Sequence, residues 1–147
     1  MSAIFWIISG IILITLYFLY AGVIMKKNKV KEASAGIDVQ LKKRYDLIPN
    51  LLNMAAKFMA HESKLMEEIT KLRTAAMANS FKDNPQEKIK NEKLLESKLK
   101  EFNLSVENYP DLKSNQTMMT AMQSMNEVEE HIAAARRFYN AAVNDLT

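Results

Sequence analysis

The 147-residue chain is 48% hydrophobic and 25% charged, and it contains no cysteine, which excludes disulfide scaffolds, thiolate metal sites and cysteine nucleophiles. A net charge of +3 and a pI near 9.0 suggest a basic protein, but the excess is local: residues 1–25 carry no charge, the six residues 26–31 carry four lysines, and the remainder holds 16 bases against 17 acids. A near-neutral body excludes a broad nucleic-acid surface, and two histidines and three glycines are too few for His metal clusters or Gly-rich phosphate loops.

From Ile4 to Met25 the chain runs 22 residues without a charge. At about 1.5 Å per residue this crosses a hydrocarbon core roughly 30 Å thick. Phe5 and Trp6 lie near one end, and Tyr17, Phe18 and Tyr20 near the other, where amphipathic rings favour the headgroup zone. A cleaved signal peptide needs a basic leader and an apolar run of about 7–15 residues. Met1, Ser2 and Ala3 supply no such leader, so the segment is expected to be an uncleaved, single-pass anchor. Lys26, Lys27, Lys29 and Lys31 follow it, which places the remaining domain in the cytoplasm and the N-terminus outside. The same lysines suit anionic lipid headgroups, at about 1 kcal/mol each near the surface. The expected division is an anchor over 1–25, a basic juxtamembrane helix or linker over 26–36 and a helical domain over 37–147.

Beyond the anchor, Ile37, Leu41, Arg44, Ile48, Leu51, Ala55, Phe58, Glu62, Leu65, Ile69, Leu72 and Ala76 follow an unbroken 4-3-4-3 spacing, the signature of a helical seam. Pro49 removes one hydrogen bond from that helix, so the spacing predicts a kink or break near Asp46 to Ile48. A connection follows at Asn79 to Asn84, and Pro85 suits the first position of the next helix. There Leu95, Leu99, Phe102, Val106 and Tyr109 step by four and three, with Glu96 and Lys100 as an exposed pair. Proline at 110 stops it. A last helix runs from about Asn115 through Met118, Met122, Met125, Glu129, Ile132, Arg136, Tyr139, Val143 and Leu146. No segment alternates like a strand. The fold class is therefore all-α: an N-terminal transmembrane helix continuing into an antiparallel long-helix bundle.

A first helix reaching Ala78 outruns a second of about 24 residues. This leaves Ile37, Leu41 and Ile48 as an exposed apolar stripe, and such stripes mark protein interfaces. The expectation is a homo-oligomer formed through the anchor and this membrane-proximal stretch.

Four charged residues occupy seam positions: Arg44, Glu62, Glu129 and Arg136. Either they form inter-helix ion pairs that fix register, or their heads snorkel out at the rim of a wide apolar face. His61 and His131 lack the i,i+4 partners of a helical zinc site, since position 65 is Leu, and no metal or cofactor is expected. Met118, Met119, Met122 and Met125 read as adaptable packing rather than soft-metal ligands. Tyr109-Pro110-Asp111-Leu112-Lys113 reads as an interhelix stop pinned by its Tyr and Leu.

The run from Ile37 to Leu52, IDVQLKKRYDLIPNLL, resembles the LemA family. Phe58-Met59-Ala60-His61-Glu62 is similar to the family's aromatic-x-x-His-Glu segment, Tyr109 to Lys113 to its YPDLK loop, and Arg136-Arg137-Phe138-Tyr139-Asn140 to its RRFYN helix. Tyr20, Asn28 and Val30 fit the spacing of its opening YN-x-L-V element, with Ala21 in place of the usual asparagine and Ser34 where many members carry tryptophan. Family members usually continue past the position of Thr147 into a stretch with a Phe-Pro turn. The resemblance, covering about residues 20–147, implies a helical bundle resident in a bacterial inner membrane, and no reaction. Relatives in magnetosome-forming bacteria are linked to building membrane compartments, which makes a scaffold plausible by analogy. The leading expectation is a non-enzymatic, self-assembling scaffold at the membrane, and the alternative is a monomeric adaptor that recruits a protein partner. A membrane-bound hydrolase or metalloenzyme lacks its nucleophile, base and ligand sets.

Overall fold

The computed structural model describes residues 2–78 and 84–146, and among them all regular structure is helical. Helix α1 spans Ser2–Ala55 without interruption. A turn and a single 3-10 turn, Ala60–Glu62, lead to α2 (Ser63–Ala78), followed by α3 (Pro85–Val106), the short α4 (Pro110–Lys113) and α5 (Gln116–Leu146). The chain divides into two units, residues 40–131 and residues 1–39 with 132–147, and α1 and α5 each contribute to both.

Within the first unit four helices alternate in direction. Arg73 of α2 reaches Tyr45 of α1, and Lys98 of α3 pairs with Glu68 of α2 at 2.9 Å. Further along, Lys88 of α3 meets Ala76 of α2, so the α2 and α3 numbers run in opposite senses. Clefts between α1 and α5 pair Lys43 and Asp46 with Ser124 to His131, and Asn50 to Lys57 with Gln116 to Ala121, again antiparallel. Ile48, Leu51, Met59, Ile69, Leu95 and Phe102 fill the core. Asn84 caps α3 by accepting from the Glu87 backbone N–H at 3.2 Å, ahead of Pro85 in the first turn. Asn115 caps α5 by accepting from Thr117 and Met118. Leu112 of α4 is fully buried, which pins the connection after Tyr109 to the bundle.

Three expectations about the first long helix are corrected. It does not run to Ala78: α1 ends at Ala55, and the chain turns at 56–59 before α2. The seam spacing continues through Phe58 and Glu62, but the turn exposes Phe58, leaves Glu62 half-exposed and buries Met59 instead. Of the kink or break expected near Pro49, the break does not occur: α1 continues through the proline. The carbonyl it orphans is that of Tyr45, four residues back, and the Arg73 Nε donates to that oxygen at 2.7 Å. A side chain from the neighbouring helix thus replaces the missing helical hydrogen bond.

The third correction concerns the exposed stripe. Ile37, Leu41 and Ile48 are 7%, 1% and 0% exposed, so the chain itself covers them. With α1 ending early, the α2–α3 hairpin packs along residues 40–55, and α5, 31 residues long, returns far enough for Asp145 to pair with Lys29. The expected connection at Asn79 to Asn84 lies, apart from Asn84, outside the described residues.

In the second unit, α1 carries the apolar segment with its large side chains outward: Trp6 is 72% exposed and none of the span is buried. The helix is long and apolar enough there to cross a membrane. Burial begins at Ala33 and Ile37, with Ile132 and Ala142 buried on the α5 side.

Candidate functional site

The polar centre of the 40–131 unit grows out of α1. Arg44 and Tyr45 lie in succession on the face that α1 turns to the core, and Arg44 is 0% exposed. A guanidinium cannot shed its proton, so burial demands counter-charges. Two carboxylates provide them. One Nη of Arg44 bonds Glu92 of α3, and the other donates to Glu129 of α5 at 3.0 and 3.3 Å. Glu129 is about one-third exposed, whereas Glu92 is buried.

Glu92 also accepts from the Tyr45 hydroxyl and from Lys88, one turn earlier on α3, at 3.3 Å. The Lys88 ammonium, itself buried, donates to the Tyr45 hydroxyl at 2.7 Å and to the Ala76 carbonyl at 2.6 Å, and lies 5.0 Å from the Tyr45 ring centre. The Ala76 carbonyl belongs to the last turn of α2, where carbonyls lack helical partners and the dipole favours a cation. Two cations and two anions therefore neutralise one another across α1, α2, α3 and α5. The arrangement ties α1, α2, α3 and α5 together at one level. Its carboxylate oxygens are engaged, and Arg44, Lys88 and Glu92 are closed to solvent.

Sequence spacing placed Arg44 and Glu129 on inward faces, and the structure joins them. The other two seam charges lie elsewhere: Glu62 in the 3-10 turn and Arg136, half-buried, on the part of α5 in the other unit. Glu92 and Lys88 were missed although the signal was present. Stepping back from Phe102, Leu99 and Leu95 by three and then four lands on Glu92 and Lys88.

Outside the cluster, Lys26, Lys27, Lys29 and Lys31 are exposed on α1, and the Lys29 ammonium lies 3.2 Å from the Asp145 carboxylate. Met118 and Met125 are buried and Met119 is exposed. His61 is exposed in the 3-10 turn, and His131 lines a cleft of about 390 Å³ with Lys43, Asp46 and Glu127. A neighbouring open groove of about 610 Å³ runs between α1 and α5, with Leu47 and Met54 beside Asn50, Asn53, Thr117 and Thr120. No group of three or more His, Cys, Asp or Glu side chains among the described residues is placed to hold a metal ion.

The LemA family model matches residues 33–147. The chain belongs to the LemA family. The match starts at Ala33, the first buried position among the described residues, so in this LemA family member the family pattern coincides with the packed part of the chain. It contains the whole Arg44–Glu92–Glu129 cluster and both capped helix starts, and it leaves out the apolar segment and the four lysines. Tyr20, Asn28 and Val30, which fit the family's opening element by spacing, precede the matched region. No curated protein matches this LemA chain in a sequence search.

Proposed function

We propose that the protein is a non-enzymatic interaction platform, anchored by one helix in the inner membrane of a bacterium with its bundle in the cytoplasm. The observation that carries this reading is the outward-facing Ile4–Met25 segment at the head of a bundle whose own apolar residues are largely packed inward. Such a surface is stable only in hydrocarbon. The basic Lys26 to Lys31 stretch supports the orientation and contact with anionic headgroups. Family membership and the inward-turned polar cluster both favour a binding role over a catalytic one.

Self-assembly as a scaffold remains the leading form of this proposal. With Ile37, Leu41 and Ile48 covered, its contact is now assigned to the anchor helices themselves. The open groove between α1 and α5 favours the second form, a monomeric adaptor that takes a protein partner on the bundle.

The test uses the full chain in vesicles and in detergent. Trp6, the single tryptophan, is expected to be quenched by lipids brominated in the acyl chain, and Leu13→Arg, at a cost of about 2.5–3.5 kcal/mol, is expected to weaken insertion while leaving helicity intact. Unquenched Trp6 would overturn the anchor. Mass photometry in detergent is expected to show more than one chain per particle, and monomers throughout would leave the adaptor form.

A further inference from the structure

The ion pair between Lys29 and Asp145 joins two stretches 116 residues apart in the chain, both in the unit formed by residues 1–39 and 132–147. Lys29 lies four residues beyond Met25, where the apolar run ends, which is a rise of about 6 Å along α1. The polar layer on each side of a bilayer is about 5–7 Å deep. Lys29 therefore sits at the depth of the lipid phosphates, and its partner on α5 is held at the same level. Residues 144–146 are exposed, and Leu146 adds an apolar side chain there.

We propose that the Asp145 segment of α5 is a second membrane-contact element: the Lys29 pair seats it in the headgroup layer, where Lys29 is shared between Asp145 and the phosphodiester of a phospholipid. This rests on the reading of Ile4–Met25 as a membrane anchor. The chemistry is complementary. Lys26, Lys27 and Lys31 beside Lys29 make the zone strongly cationic, so a carboxylate can sit near phosphates without net repulsion. The ammonium has three donors, and with the Lys29 and Asp145 side chains 49% and 59% exposed it can keep Asp145 while a phosphate oxygen approaches from the solvent side.

The absence of cysteine makes single-site labelling direct. The full chain carrying Leu146→Cys is labelled with an environment-sensitive fluorophore and reconstituted in vesicles of phosphatidylethanolamine and phosphatidylglycerol that contain a headgroup-attached quencher. Phe138→Cys, exposed on the same helix seven residues before Asp145 and about 10 Å farther from the bilayer, is the internal reference. Quenching is expected to be several-fold stronger at 146 than at 138, and to fall toward the reference when Lys29→Gln is added. Equal quenching at 146 and 138 with Trp6 still quenched from the acyl chains overturns the proposal and leaves the anchor standing. Quenching at 146 that survives Lys29→Gln unchanged overturns the role of the pair. An unquenched Trp6 overturns anchor and proposal together.

Discussion

Helix α1 holds two stretches with opposite rules. Between Ile4 and Met25 its large apolar side chains point outward, whereas between Gln40 and Ala55 it places a permanently charged guanidinium in the core and turns Lys42, Lys43 and Asp46 to solvent. Residue polarity alone explains neither stretch. What decides is the partner available: hydrocarbon for the first under the proposed anchor, and two carboxylates, a tyrosine and a lysine for the second. In the proposed anchor, exchange of one apolar residue for another in the first stretch is expected to be tolerated, because lipid makes no directional demand. In the second stretch exchange is expected not to be tolerated, because its buried Arg44 and Tyr45 depend on named neighbours.

The sharpest way to break this comparison is to remove one of those neighbours. Glu92→Leu leaves Arg44 with only Glu129, which is about one-third exposed, and takes an acceptor from both Tyr45 and Lys88. Breaking a buried pair in this way costs about 3–5 kcal/mol, and urea unfolding of the detergent-solubilised chain should show it as a lower midpoint. Glu129→Gln should lose clearly less, since water already reaches that carboxylate. Adding Arg44→Met to Glu92→Leu should recover part of the loss, because the uncompensated charge is then gone. A double variant no better than Glu92→Leu would mean that the charges are not what the residues contribute.

A smaller effect is expected at Pro49. Arg73→Met strips the Tyr45 carbonyl of its donor, and a hydrogen bond from a charged group is worth about 1.5–3 kcal/mol. Pro49→Ala returns a backbone N–H to position 49, where it can bond the same carbonyl. The loss from Arg73→Met should therefore shrink in the Pro49→Ala background. Additive losses across this double-mutant cycle would show that Arg73 acts elsewhere.

The same partner rule explains what the sequence disclosed. The 4-3-4-3 spacing located α1, α3 and α5 and put Arg44 and Glu129 on inward faces, because the helical period alone decides which residues share a side. It overlooked Glu92 and Lys88 because they precede Leu95, where the α3 stripe begins, whereas Leu41 and Ile48 bracket Arg44, and Met125 and Ile132 bracket Glu129. The turn at 56–59 left no trace of its own. Ala56, Lys57, Phe58 and Met59 include neither glycine nor proline, and the turn uses no positive φ, so no residue type was required to make it. The reversal is fixed by what α2 buries once it folds back, chiefly Leu65, Ile69 and Ala76. Pro49 misled in the other direction: the missing donor was legible, but its replacement by Arg73, 24 positions later in sequence, was not.

The smallest expected effects come from pairs on the bundle surface. The Lys98 ammonium, hydrogen-bonded to Glu68, holds that carboxyl below its ordinary value of 4.5, and Lys71 does the same for Glu67. Glu101 and then Glu68 raise Lys98 above 10.5, and Glu96 raises Lys100. A depressed carboxyl contributes stability that is present above its unfolded value and lost as pH falls through the lower folded one. A raised ammonium contributes stability that is present below its unfolded value and lost as pH climbs through the higher folded one. These pairs therefore favour a stability plateau between about 4.5 and 10.5, with a shallow fall on either side. Thermal unfolding as a function of pH should show a slightly flatter acid limb for Glu68→Gln. High salt should erase that difference, since exposed pairs are screened, while the defect of Glu92→Leu should persist because its partners are out of reach of ions. Equal salt sensitivity at both sites would mean that Arg44 and Glu92 are reached by solvent, and the contrast between the buried cluster and the surface would collapse.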